Sequence, residues 1–175
     1  MVSAETVRIV DSTFQLNSGY GVAIEDWDGE VEFDRNTIRD NDKPMAVHPE
    51  LVASLGRQNQ FMSEANNRIE LLSGSADYGG SWQNLGVPIY APLGLEVTES
   101  LLLNAGVRVQ FAPGTALVVG DYFPVELRAA GTADNPVIFE SAVPGQPWLG
   151  VRCEEAGYTD FVGVEFRDAP ALSCP

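Results

Sequence analysis

Histidine is nearly absent from this 175-residue chain, which carries only His48, and cysteine occurs twice. A single histidine excludes a multi-histidine zinc site and makes any serine-histidine-aspartate triad depend on that one residue. No nucleophile elbow accompanies it, and a surface histidine in a turn beside Pro49 is the plainer reading. Basic residues are scarce as well: 10 Lys and Arg face 25 Asp and Glu, for a net charge of -15. That field repels nucleic acid and anionic membrane, and leaves neutral or cationic partners, or hard cations, as suitable ones. No run of 18 apolar residues is present, which argues against insertion into a membrane, and the opening "MVSAETVRIV" lacks the basic-then-apolar order of a signal peptide. "DYGGS" lacks the lysine and following helix of a phosphate loop. What is abundant is apolar content, at 45%, enough for one domain with a sizeable core.

The apolar residues recur in a rhythm. Ser12-Thr13-Phe14 with Asn17, Asn36-Thr37-Ile38 with Asn41, and Asn59-Gln60-Phe61 with Glu64 align at intervals of 24 and 23 residues. Each phrase follows an alternating apolar pair or its remnant (Val7 and Ile9; Val31 and Phe33; Leu55) and precedes a second short apolar stretch. Two short strands and two turns per period, with almost no helical periodicity, fit a parallel β-solenoid in which each coil adds a rung to every sheet. Phe14, Ile38 and Phe61 then stack inside at about 4.8 Å. Asn36 and Asn59 stack at the corner, where asparagine tolerates left-handed backbone and can bond the amides of adjacent coils.

Residues 73–94 are dense in glycine and proline and read as an irregular junction within the solenoid, between asparagine-rich coils (1–72) and further coils (95–175). Trp82 and Tyr90 are expected to pack across it. Beyond it come "LLLNAGVRVQFAPGTALVV", "LRAAGTADNPVIFES" and "PGQPWLGV". In "GTADNPVIF", Gly131 is expected to supply a positive φ, Asn135 to be held extended, and Pro136 to open a strand.

These phrases, over residues 85–166, resemble the right-handed parallel β-helix repeat proteins of bacterial secreted and cell-surface chains, the pectate-lyase-like superfamily. The resemblance implies an all-β right-handed solenoid and an extracellular or cell-surface location; the repeat intervals give coils of 21–24 residues, and the chain, opening and stopping on strand-like alternation, is expected to be one segment, 1–175, of a longer protein. The resemblance implies no particular activity, since that family includes polysaccharide lyases, glycoside hydrolases and proteins without catalysis.

The family's lyases resemble one another in using an Arg or Lys base beside a carboxylate-held calcium, and its hydrolases in pairing carboxylates across the scissile bond. None of the phrases Arg-x-Pro-x-x-Arg, Asp-Pro-His-Glu or Asn-Thr-Asp that mark those enzymes is present; "AVHPE" is a superficial cousin of the second. The cofactor the chain could suit is calcium, held by Glu25, Asp26 and Asp28 of one turn with Asp40 and Asp42 of a neighbouring one; a solvated acidic turn is the plainer reading. Trp27, Tyr20, Tyr78, Trp82 and Trp148 are the aromatics that could stack on sugars, with Trp148 belonging to the resembled Pro-Gly-x-Trp phrase. Candidate ligand-binding residues are therefore Trp27, Tyr20, Asp40 and Asp42.

The resulting expectation is a non-catalytic β-helix module, structural or binding a polysaccharide or another surface protein; the alternative is a fragment of a polysaccharide lyase or glycoside hydrolase. Core residues are expected at Ile9, Phe14, Ile24, Phe33, Ile38, Phe61, Ile69, Val109, Phe111, Val118, Leu127, Phe139, Val151, Val164 and Phe166. The terminal rungs, with unpaired strand edges, are expected to fray, be capped by local chain, or associate end to end. Cys153 and Cys174, 21 residues apart, fall on one interior ladder a rung apart, where a disulfide or two buried thiols would each fit.

Overall fold

A computed structural model describes residues 6–25, 29–62, 66–120, 124–154, 156–170 and 172–174. The first coil holds β1 (Thr6–Val10), β2 (Thr13–Gln15) and β3 (Tyr20–Ile24), and the second β4 (Glu30–Asp34), β5 (Thr37–Arg39) and β6 (Lys43–Val47). The third opens with a 3-10 helix (Pro49–Ser54) and continues through β7 (Gln60–Met62) and β8 (Ile69–Leu71). Then follow β9 (Ser75–Ala76), β10 (Gly80–Trp82) and β11 (Ile89–Ala91); β12 (Leu95–Val97), β13 (Leu101–Asn104) and β14 (Arg108–Phe111); β15 (Leu117–Val119), β16 (Val125–Ala130) and β17 (Val137–Ser141); and β18 (Val151–Cys153), β19 (Gly157–Val162) and β20 (Val164–Phe166).

Every strand pairing among the described residues is parallel and joins a strand to its counterpart one coil on, so the fold is an all-β parallel solenoid of about six turns, spanned by seven rungs in its longest sheet. One sheet runs the whole length in the order β3-β6-β8-β11-β14-β17-β20. The other two faces change partway. Coils one to three use β1-β4, bridged to Leu55, and β2-β5-β7, whereas coils four to seven use β9-β12-β15-β18 and β10-β13-β16-β19. Residues 73–94 thus form a coil of short strands at which two ladders restart while the long sheet passes through. The 3-10 helix, with Val52 1% exposed, packs against β4 on one side and β9 and β10 on the other, filling that step.

The register matches the repeat. Thr13, Thr37 and Gln60 are successive partners, as are Phe14, Ile38 and Phe61. Coil lengths run wider than 21–24. Ile89 lies 20 residues after its partner Ile69, and Val151 lies 34 after Leu117, because corner loops shorten and lengthen without disturbing the rungs.

The corner asparagines Asn36, Asn41 and Asn59 are buried and bonded. Asn36 Oδ1 accepts from the Ser12 amide at 3.0 Å, its Nδ2 donates to the Ile9 carbonyl at 2.9 Å, and its own amide donates to Asn59 Oδ1 at 3.0 Å. In coils one and two the left-handed residue is the one before: Asp11, Leu16, Arg35 and Asp40 have φ between 51° and 61° and precede Ser12, Asn17, Asn36 and Asn41. The asparagine itself is held in place by its side-chain bonds, so its neighbour takes the strain.

The interior is apolar from end to end, with Phe33, Ile38, Ile69, Val109, Phe111, Leu127 and Phe139 fully buried. Two expected core positions differ. Val118 faces outward between Glu96 and Arg152, while Leu117 and Val119 point in; in three consecutive apolar residues the phase cannot be read. Phe166 does stack on Phe139, with centroids 5.4 Å apart, but is 41% exposed because no described rung covers it. Gly131 also differs. Its φ is not positive, and a Cβ there would meet the Gly163 carbonyl oxygen at 2.0 Å, so close approach of two coils is what requires glycine.

Candidate functional site

The sequence-predicted site residues scatter. Asp26, Trp27 and Asp28 lie outside the described residues. Glu25, Asp40 and Asp42 are exposed, and Asp40 Oδ2 stands 3.9 Å from Nε of its sequence neighbour Arg39, which donates at 2.8 Å to Gln15 Oε1. Among the described residues no three His, Cys, Asp or Glu converge to hold a metal ion. His48 precedes the 3-10 helix, with Nδ1 3.8 Å from Glu50 Oε1. Trp82 and Trp148 belong to the core; Trp148 stacks on Phe111 with centroids 4.4 Å apart and its Nε1 donates to the Arg167 carbonyl at 3.0 Å. Tyr90 faces outward under the Arg68 guanidinium, 3.6 Å from its ring centre, rather than packing with Trp82. Cys153 and Cys174 form a disulfide with Cα atoms 4.8 Å apart. It fixes residues 172–174 to β18, where the Cys153 amide donates to Ser173 and the Ser173 amide to Val151.

Two surfaces are organised. The outer face of the long sheet carries a polar ladder. Lys43 Nζ donates to Tyr20 Oη and Glu70 Oε2, both at 3.1 Å, and lies over the Tyr20 ring. Burial, helped by the Glu70 carboxylate, pushes the Tyr20 phenol up, while its hydrogen bonds to Tyr20 and Glu70 hold the Lys43 ammonium above its ordinary value. Farther along, Glu140 accepts from Arg108, from Gln110 Nε2 at 2.9 Å and from Arg167 at 3.4 Å. Burial opposes its ionisation, but the Gln110 and Arg108 bonds and the two guanidinium charges outweigh that and keep the carboxyl below its ordinary range.

The second surface is a groove of about 540 Å³ on the outer face of β9-β12-β15-β18. Its floor is one outward ladder, Ser75, Glu96, Val118 and Arg152, each the cross-strand partner of the next. Four rungs at about 4.8 Å give it a length of roughly 14 Å. Its wall carries Leu93 and Leu149, 69% and 58% exposed, each just before a left-handed glycine, Gly94 (φ 83°) and Gly150 (φ 82°), that turns the chain into a strand. Gly94 is obligatory, since a Cβ would meet the Ala116 carbonyl oxygen at 2.7 Å. A "Leu-Gly-apolar" phrase at 93–95 and again at 149–151 is the signal sequence reasoning passed over, because apolar residues in a strand-rich stretch read as core.

No family model, no curated protein and no solved structure matches the chain. The fold and these surfaces therefore define its class, a parallel β-solenoid, by themselves.

Proposed function

We propose that the chain is a rigid, non-catalytic module of a secreted or surface-displayed bacterial protein of the pectate-lyase-like kind, and that it presents the four-rung groove to a carbohydrate or protein partner. The observation that carries this reading is where the scarce cations go. Six of the ten, Arg8, Arg35, Lys43, Arg108, Arg128 and Arg167, pair with an acid on the neighbouring coil. Each exposed pair is worth about 0–1 kcal/mol, yet together they tie successive coils along the axis. Cations so committed support a rod better than a reaction centre, and the groove is long, open and built on regular strands.

A glycan array and a surface-protein display panel, each probed with the wild type and with Val118→Arg, test the reading. A ligand retained by the wild type and lost by the variant is the expected result. Turnover of a polysaccharide, read as new reducing ends or unsaturated products and abolished by Asp40→Asn, would replace it with the enzyme alternative.

A further inference from the structure

We infer that the occupant of this groove is an extended peptide in which a cationic side chain is flanked by aliphatic ones; the inference rests on the binding role proposed above and specifies its ligand. Shape comes first. The groove is straight, and about 14 Å accommodates four to five extended residues at roughly 3.3 Å each. Its apolar contacts are aliphatic, Val118 on the floor with Leu93 and Leu149 on the wall, and among the described residues no aromatic platform of the kind that stacks on a sugar ring lines it.

Charge then selects the sign. Arg152 on the floor is already paired, its Nη2 3.3 Å from Glu154 Oε1. Glu96 is exposed and has no side-chain hydrogen bond or ion pair among the described residues. The local field is thus that of one solvent-exposed carboxylate, without an ion-pair partner among the described residues, beside aliphatic surface, set in a chain of net charge -15 that draws cations and repels acids. A lysine or arginine places its ammonium or guanidinium at Glu96 and lays its methylenes along Val118. Leu93 and Leu149 then take the aliphatic neighbours on either side.

The test uses a capped peptide alternating leucine with lysine, its glutamine-for-lysine and glutamate-for-lysine analogues, and a neutral oligosaccharide, each titrated into the protein while amide shifts of residues 93–96, 116–118 and 149–152 are followed by NMR. The lysine peptide is expected to shift these amides and bind best, with affinity falling roughly fivefold in Glu96→Gln and at high salt, and binding lost in Val118→Arg. Both positions face outward, so the variants should keep the wild-type amide spectrum elsewhere. Equal binding of all three peptides, or an unchanged affinity in Glu96→Gln, overturns the charge selection while leaving the groove a binding site. Oligosaccharide binding without peptide binding overturns the peptide assignment and retains the proposed role. No shift in the groove with any probe overturns both.

Discussion

The first three coils and the last four build one solenoid by different means. In coils one and two the left-handed corners are occupied by ordinary residues, Asp11, Leu16, Arg35 and Asp40, each followed by a serine or asparagine engaged in bonds between coils. From residue 86 onward the left-handed positions are glycine at Gly86, Gly94, Gly106, Gly114, Gly120, Gly145, Gly150 and Gly163, with Asp168 the one other residue among those described. The interior changes in parallel. The early coils stack single apolar side chains and a Phe14–Phe33 pair; the late coils hold a continuous run, Trp148–Phe111–Phe139–Phe166, with Phe161 beside it. A corner can therefore be secured by hydrogen bonds that offset backbone strain, or freed of strain by glycine so that packing holds the coils. One solenoid uses both, and stability in a stack of coils is set by nearest neighbours.

The sharpest way to break that comparison is to remove the packing where packing is said to dominate. Phe111 is fully buried between Phe139 and Trp148, and Phe111→Ala should cost about 3–5 kcal/mol. Native-state hydrogen exchange should place the loss in β14, β17 and β18 and leave β1 to β5 protected. Uniform loss across all coils would mean that the two regions unfold as one unit and that their devices are not separable.

The hydrogen-bond device is tested by Asn36→Ala, which strips partners from the half-buried Ser12 amide and Ile9 carbonyl at the corner. At about 1–3 kcal/mol for each buried group left unpaired, partly relieved by entering water, the expected cost is about 2–4 kcal/mol. It should be confined to exchange in coils one and two. A cost below about 1 kcal/mol would show that the early coils are also held by packing alone.

How far each region was legible follows from the same contrast. The asparagine corners announce themselves, since Ser12, Asn36 and Asn59 must be polar at a fixed interval to satisfy backbone groups, and that interval reproduces the register of β2, β5 and β7. Packing-held coils tolerate any apolar residue of suitable size, so the phase of Leu117-Val118-Val119 had no mark in the sequence, and neither did the exposure of Phe166, which depends on what lies above it. Corner loops such as residues 142–150 change coil length without changing strands, so the coils spread to both sides of the expected 21–24 residues. The groove was the least visible feature. Its wall joins Leu93 to Leu149 and its floor joins Glu96 to Arg152, pairs brought together only by register across two coils.

Electrostatics sharpen the comparison by a smaller amount. Both regions hold a carboxyl below its ordinary value, Asp11 by its hydrogen bond to Arg35 and Glu140 by Gln110, Arg108 and Arg167 against its burial. A depressed folded value means that the contribution is present above the unfolded value, near 4.3 for Glu, and is lost as pH falls through the folded one. Glu140 is 10% exposed at its side chain and Asp11 65%, so only Glu140 escapes screening. Glu140→Gln should cost about 1–2 kcal/mol at pH 7 and flatten the acid limb of the stability curve. Asp11→Asn should do neither once salt reaches about 0.5 M. An acid limb unchanged in Glu140→Gln would place the acid-sensitive group elsewhere.

The smallest effect comes from exchanging the corner devices outright. Leu16 is 77% exposed at φ 61°, and a left-handed L-residue costs about 1–2 kcal/mol, against about 0.5–1 kcal/mol of extra unfolded-state entropy for glycine. Leu16→Gly should therefore stabilise the first coil by about 0.5–1 kcal/mol, since the bonds from the Asn17 amide and Nδ2 to Asn41 Oδ1 remain. The mirror substitution is Gly114→Ala. Gly114 has φ 77° and open space where a Cβ would go, so its cost isolates backbone strain from collision and should be of similar size with the opposite sign. Thermal denaturation of the two variants and of the double variant reads the exchange directly. Corners about 100 residues apart that share no partner should give additive shifts that nearly cancel. A destabilising Leu16→Gly would show that the hydrogen-bonded corner draws on the leucine side chain itself, and that strain at these corners is not what the asparagines offset.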